Sequence, residues 1–190
     1  MTPHAGWIKL QPLFLTILAW LAPLAVAAKD PGVVGSLRVV GGDFYASASV
    51  PGGTLIPDIK LRMDAGLPVS FTYRFHFYRV RRFWFDRTVA ERAVTRRASY
   101  DPLSALYKLE SDIGGEAVKV DYVRDRQDAE FFLEHLDAVD LGPAGMDRPT
   151  PAGLRARLRV HFLAGTVLFI PWAKETGWKD VAIVQEEAGG

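Results

Sequence analysis

The chain has 190 residues, a formal net charge of +1 and no cysteine. Without cysteine it forms no disulfide framework and carries no thiolate nucleophile or metal ligand. Without asparagine it offers no N-glycosylation site, and a net charge this close to zero sets up no global field that would steer it to nucleic acid.

The first element is a leader. His4 and Lys9 precede a run without formal charge from Leu10 to Ala28. Its apolar centre, Leu13 to Leu24, is shorter than the roughly 20 residues a membrane-spanning helix needs, with Pro12 just before it and Pro23 near its end. Ala25-Val26-Ala27 fits the small-x-small pattern of signal peptidase sites. The expected organisation is a signal peptide over residues 1–27 and a single β-rich exported domain over 28–190. An uncleaved membrane anchor is the alternative. A chain rich in Arg and Ala and lacking Asn points to a GC-rich bacterial genome, and so to the periplasm. The exported part is long enough to bury a core without staples.

Val33 to Val40 and Phe44 to Val50 read as two strands joined at Gly41-Gly42, a hairpin signal. Thr54 to Gly66 reads as a short helix, with Ile56, Ile59 and Met63 on one face, Thr54 as N-cap and Gly66 as the stop. From Pro68 to Phe85 the chain carries eight aromatic rings among four Arg and one His. Phe71, Tyr73, Phe75 and Phe77 alternate with Thr72, Arg74, His76 and Tyr78, the period of a half-buried strand. The phase slips at Arg79 and Val80, which predicts a β-bulge. Phe83-Trp84-Phe85 then predicts burial on both sides, or a strand end tucked under a loop. Asp86-Arg87 is a predicted turn, Thr88 to Tyr100 a returning strand, and Asp101-Pro102 the next turn.

Leu103 to Ser111 and Ala117 to Val123 form a predicted hairpin around Asp112-Ile113-Gly114-Gly115-Glu116. Asp125 to Asp140 reads as an amphipathic helix, with Ala129, Phe132, Leu133, Leu136 and Val139 at helical spacing. Asp125 is its N-cap, and Asp128 stands in the first turn. A Pro/Gly loop follows. From Leu154 to Phe162 apolar residues alternate with Arg155, Arg157, Arg159 and His161, a strand with one basic face. Thr166 to Ile170 and Trp178 to Val184 close the chain as a predicted hairpin around Ala173 to Gly177, with Trp172 and Trp178 paired across it. The fold class expected is mostly β: an antiparallel β-sandwich-like domain with one or two short helices.

Gly66-Leu67-Pro68, the aromatic and Arg-rich strand ending in Phe83-Trp84-Phe85-Asp86, Tyr100-Asp101 with Leu103-Ser104 and Tyr107, and the helix near residue 130 follow in a telling order. In it the chain resembles the bacterial family called domain of unknown function 4390, over roughly residues 54–184. The C-terminal part departs, since Ile170-Pro171 and Trp178 match the family's closing strands only loosely. The resemblance implies a secreted or envelope protein and defines no catalytic residue. It also implies a role in envelope sensing, because the family's genes often neighbour a membrane sensor kinase of the nitrogen-regulation type.

Most chemistry is missing from the residues themselves. His76, His135 and His161 lack the spacing of metal ligands on a helix, no G-x-S-x-G elbow is present, and no glycine loop cradles phosphate. No cofactor is expected. A carboxylate pair of the hydrolase type leaves no local signature, so a hydrolase stays as an alternative. Eight Arg between residues 74 and 97 face ten acids between 110 and 140, which predicts two segments lying close enough to offset each other. Rings interleaved with Arg also suit single-stranded nucleic acid. Here the rings hold the core phase and the cations the wet phase, so nucleic acid is not the expected partner. The leading expectation is a non-enzymatic interaction or sensory accessory of the envelope. The alternative is an anion-binding module for lipid phosphate or lipopolysaccharide, built on Arg74, Arg79, Arg81, Arg82, Arg155, Arg157 and Arg159.

Overall fold

Alternation of apolar and polar residues lays out most of this protein. The computed structural model describes residues 32–51, 56–83, 85–115, 118–143, 153–167 and 170–185. These form β1 (Val34–Val40), β2 (Asp43–Ser49), α1 (Ile56–Asp64), β3 (Val69–Arg79), β4 (Arg87–Asp101), β5 (Leu106–Ile113), β6 (Lys119–Val123), α2 (Arg126–Glu134), β7 (His135–Pro143), β8 (Leu154–Val167), β9 (Ile170–Glu175) and β10 (Lys179–Gln185). The expected signal peptide, the candidate cap Thr54 and the side chains of Ile56, Ile59 and Trp172 lie outside the described residues. Among those described, no helix is long and apolar enough to cross a membrane.

The mostly-β class is as expected, but the strands do not divide into two stacked sheets. They follow one path, β6-β5-β4-β3-β8-β10-β1-β2-β7, with β9 beside β8. The path curls until its inner face packs on itself. Phe44 of β2 meets Phe77 of β3 edge-on, with ring centroids 4.9 Å apart, although β8, β10 and β1 separate those strands in the sheet. Curling thus buries one apolar face against another, as a sandwich would. The pairing is also not wholly antiparallel. β1 runs parallel to β10, from Ser36 opposite Ala182 to Val39 opposite Gln185.

The core is supplied by every second residue. Val69, Phe71, Tyr73, Phe75 and Phe77 of β3 are buried, as are Leu154, Ala156, Leu158, Val160 and Phe162 of β8. Gly35 of β1 lies against Leu158, where an added Cβ would come within 2.9 Å of the Leu158 Cδ2 atom. A larger residue there would force the buried Leu158 side chain to shift.

Both helices end at identifiable groups. Gly66, at φ 71°, closes α1: its N–H donates to Met63 O, and the next N–H, of Leu67, donates to Arg62 O. This pair of bonds satisfies the last carbonyls of a helix. Asp125 caps α2 by accepting from the Gln127 N–H at 2.8 Å.

Four expectations need correction. The helix predicted over Asp125 to Asp140 stops at Glu134, and Leu136 and Val139 belong to β7, opposite Ala48 and Ala46 of β2. The open edge of β2 supplies strand hydrogen bonds that outweigh local helical spacing. Phe83 and Phe85 are not buried; they stand 85% and 96% exposed on the turn between β3 and β4, and β4 starts only at Arg87. The phase slip at Arg79 and Val80 is the end of β3 and not the predicted bulge; a bulge lies on β4 instead, where Phe77 pairs with Ala90 and Tyr78 with Thr88, which leaves Val89 as the extra residue. Finally, β9 and β10 do not form a hairpin with each other. Both lie along one edge of β8, joined at Thr176, whose hydroxyl accepts from the Val160 N–H at 3.0 Å.

Candidate functional site

Because β3 and β8 are direct neighbours, their wet faces merge. Arg74 stands opposite Arg159, His76 opposite Arg157, Tyr78 opposite Arg155 and Thr72 opposite His161. The basic residues predicted on two separate strands therefore make one seam on the outer face. Carboxylates border it on both sides. Glu91 of β4 is in register with His76, Asp180 of β10 with Arg157, and Glu175 of β9 with His161.

The seam is an organised surface. Trp178, just before β10, lies under two guanidiniums, with Arg157 and Arg159 at 4.7 and 4.6 Å from its ring centre. Arg157 also lies 5.5 Å from the Tyr78 ring. These are cation–π distances. The Tyr78 hydroxyl donates to Asp180 Oδ1 at 3.3 Å. Arg159 pairs with Glu175 at 3.2 Å, whereas Arg74 approaches Glu91 only to 3.9 Å and Arg155 is exposed.

The two histidines of the seam do not meet. They sit four residues apart along either strand; His76 lies against Arg157, and the Nε2 of His161 lies 3.0 Å from a Glu175 carboxylate oxygen. The Arg157 Nε–H donates to His76 Nδ1 at 3.0 Å, so His76 is neutral with its proton on Nε2, which faces Thr88 Oγ1 at 3.0 Å. Desolvation, with Arg157 adding to it and Glu91 opposing, lowers the His76 pKa. Desolvation also lowers the pKa of His161; Glu175 opposes the shift, and Arg159 and Arg74 reinforce it. Among the described residues no group of three or more His, Asp or Glu could hold a metal ion.

The remaining predicted residues are elsewhere. Arg79 ends β3, and Arg81 and Arg82 are exposed on the β3–β4 turn. Two arginines that the sequence analysis did not single out are structural. Arg92 and Arg96 fall on the inner phase of β4, opposite Phe75 and Phe71. The Arg96 guanidinium donates to Phe132 O at 2.7 Å and to His135 O and stacks 4.5 Å over the Phe132 ring. Arg92 donates to Leu141 O at 3.3 Å and Pro143 O at 2.9 Å. The strand phase of Arg92 and Arg96 relative to buried Val94 and Ala98 was the available signal. The predicted offset of basic and acidic segments is visible at Arg97 and Glu110, which pair across β4 and β5 at 3.4 Å.

A cleft of about 670 Å³ opens beside the seam, between β4, the β5–β6 turn and the end of β7. Arg74, Glu91, Arg92, Asp112 and Asp140 line it. Its carboxylates are engaged: Asp112 accepts from the Gly115 N–H, Asp140 from the Gly142 N–H, and Glu91 faces Arg74.

Residues 36–180, from β1 into β10, match the family model described as Domain of unknown function (DUF4390). No curated protein and no solved structure matches the chain significantly. The chain belongs to the DUF4390 family, and the residues 36–53 extend the match beyond the segment whose motifs carried the resemblance.

Proposed function

We propose that this protein is an exported, non-enzymatic interaction module of the bacterial envelope, and that the outer face of β3, β8 and β10 is its contact surface. The observation that carries this reading is the Trp178 indole laid under Arg157 and Arg159 beside Tyr78. Trp, Tyr and Arg are the residues enriched where binding energy concentrates at protein interfaces. Ordered rings and guanidiniums lose little side-chain freedom on binding. The bordering Glu91, Asp180 and Glu175 form a polar rim, and the surplus of cations along the seam favours an acidic segment of a partner protein. A membrane-anchored sensor is a partner consistent with such a role.

The test is capture from envelope extract by immobilised wild-type protein, Trp178→Ala and Leu103→Ala. A partner retained by the wild type and by Leu103→Ala but lost with Trp178→Ala supports the reading. Equal capture by all three, or by none, would sink it.

A second reading is the anion binder, favoured by the register that sets Arg74 against Arg159 and Tyr78 against Arg155. A site made of guanidiniums alone loses its ligand steeply as salt rises; a surface with an aromatic centre loses it less. A salt series on wild type and on Arg155/Arg157/Arg159→Ser separates the two readings.

A further inference from the structure

The turn between β3 and β4 is unlike the rest of the surface. Phe83 and Phe85 present almost their whole side chains to water, and Val80 is half exposed. Arg81, Arg82 and Arg87 are exposed beside them, with Asp86 the one acid of the turn, and Arg82 stands 5.9 Å from the Phe83 ring centre. The turn also projects. β5 pairs with β4 only from Val94 onward and β8 follows β3 no further than Arg79, opposite Leu154, so the turn stands beyond the last paired residues of both neighbours. Large apolar side chains are rarely left exposed together unless something covers them.

From this geometry we infer that the β3–β4 turn is a membrane-docking tip, which inserts Phe83 and Phe85 into the interface of a bilayer bearing anionic lipid. The shape favours a bilayer over a protein groove, because the apolar residues sit on a projection. The charge favours an anionic one. Rings at the level of the headgroups with guanidiniums among the phosphates is the arrangement of interfacial anchors, and each basic residue near an anionic surface adds attraction. The tip lies at one end of β3, so a docked molecule would keep the Trp178 face beside the membrane and accessible from its surroundings.

The chain has no cysteine, so a single introduced thiol carries a probe without competition. Val80→Cys is labelled with a polarity-sensitive fluorophore. Leu103→Cys, on the turn at the far end of β4 and 97% exposed, is the control. Each is mixed with vesicles of phosphatidylethanolamine and phosphatidylglycerol, and with vesicles of phosphatidylcholine alone. On the anionic vesicles the Val80 label should brighten and be quenched by lipids brominated in their acyl chains, while the Leu103 label stays unchanged. Adding Phe83→Ser and Phe85→Ser to Val80→Cys should abolish the response and weaken any tip-driven partitioning roughly tenfold or more, since fully burying one Phe already exceeds a factor of ten. Both rings are exposed, so the folded state should survive the change, which circular dichroism checks. A silent Val80 label, or one that responds equally without the two rings, overturns the proposal whether or not another part of the chain binds the vesicles. An equal response on phosphatidylcholine overturns the role of the arginines. A Val80 label that responds to envelope proteins but not to lipid makes the tip a protein contact and also overturns it. Trp178→Ala leaves the tip intact, so loss of partner capture and loss of membrane docking are separately readable.

Discussion

Arg96 and Arg157 are the same residue type on neighbouring regions of one sheet, and they do opposite work. Arg157 faces outward, lies over Trp178 and donates to His76. Arg96 faces inward, where its guanidinium replaces water for two carbonyls at the end of α2. Tyr73 joins it there, donating its hydroxyl to Leu133 O at 2.6 Å. Burial lowers the pKa of Arg96 and raises that of Tyr73, yet guanidinium and phenol keep their protons at any ordinary pH. Strand phase, one residue's step, separates an arginine that completes the fold from one that is free to meet a partner. The inner arginines also explain how the curled sheet manages its ends. β6 and β7 are the terminal strands, α2 connects them, and Arg92 and Arg96 fasten α2 and β7 to the middle of the sheet.

Stability measured by denaturant unfolding should sort residues by this inner and outer division. The largest loss is expected at the inner face of β3, where Phe75→Ala should cost about 3–5 kcal/mol. Its outer neighbour Arg74→Ala should change stability by no more than about 0.5 kcal/mol. Comparable losses at the two positions would break the division. Arg96→Met should cost roughly 3 kcal/mol, because it keeps the apolar stem but leaves two carbonyls without their donor. Arg157→Met should cost far less, and its loss should show in partner capture. Tyr73→Phe removes one buried hydrogen bond and should cost about 1–2 kcal/mol.

The smallest effect is the pH dependence of the outer face. His76 and His161 both titrate below the ordinary 6.5. Between the folded and unfolded values the unfolded chain binds more protons, so stability rises with pH in that window. Their contribution is fully present above about pH 6.5 and is lost as pH falls through the folded values. Arg157→Ser removes one of the two causes that lower His76, so an NMR titration of the imidazole should show that pKa moving back up. An unmoved His76 would mean that the Arg157 contact does not persist in solution.

Much of this was readable from local pattern. The alternation in residues 71–78 and 154–162 assigned inner and outer residues correctly, since a strand's side chains must point to alternate faces. Gly41-Gly42 marked the β1–β2 turn, and both residues have positive φ, 61° and 102°, which glycine adopts without strain. Asp125 marked the start of α2, because an aspartate at that place satisfies free N–H groups. Patterns involving distant partners were not readable. The periodicity of Leu136 and Val139 suits a helix, but the free edge of β2 claimed them. Phe83-Trp84-Phe85 reads as core from composition alone, and only the turn geometry puts Phe83 and Phe85 in water.

By itself, the sequence determined the faces of β3 and β8, the Gly41-Gly42 turn, the ends of the helices at Gly66 and Asp125, the mostly-β class and the DUF4390 membership. The tertiary structure alone decided that the sheet is single and curled, that β1 and β10 from opposite ends of the chain pair in parallel, and that β3 and β8 stand side by side. Only that adjacency turns scattered arginines into one seam around Trp178. Side-chain alternation is dictated residue by residue by the backbone, whereas the choice of neighbouring strand depends on which edges the whole chain leaves open and which apolar faces they let it bury.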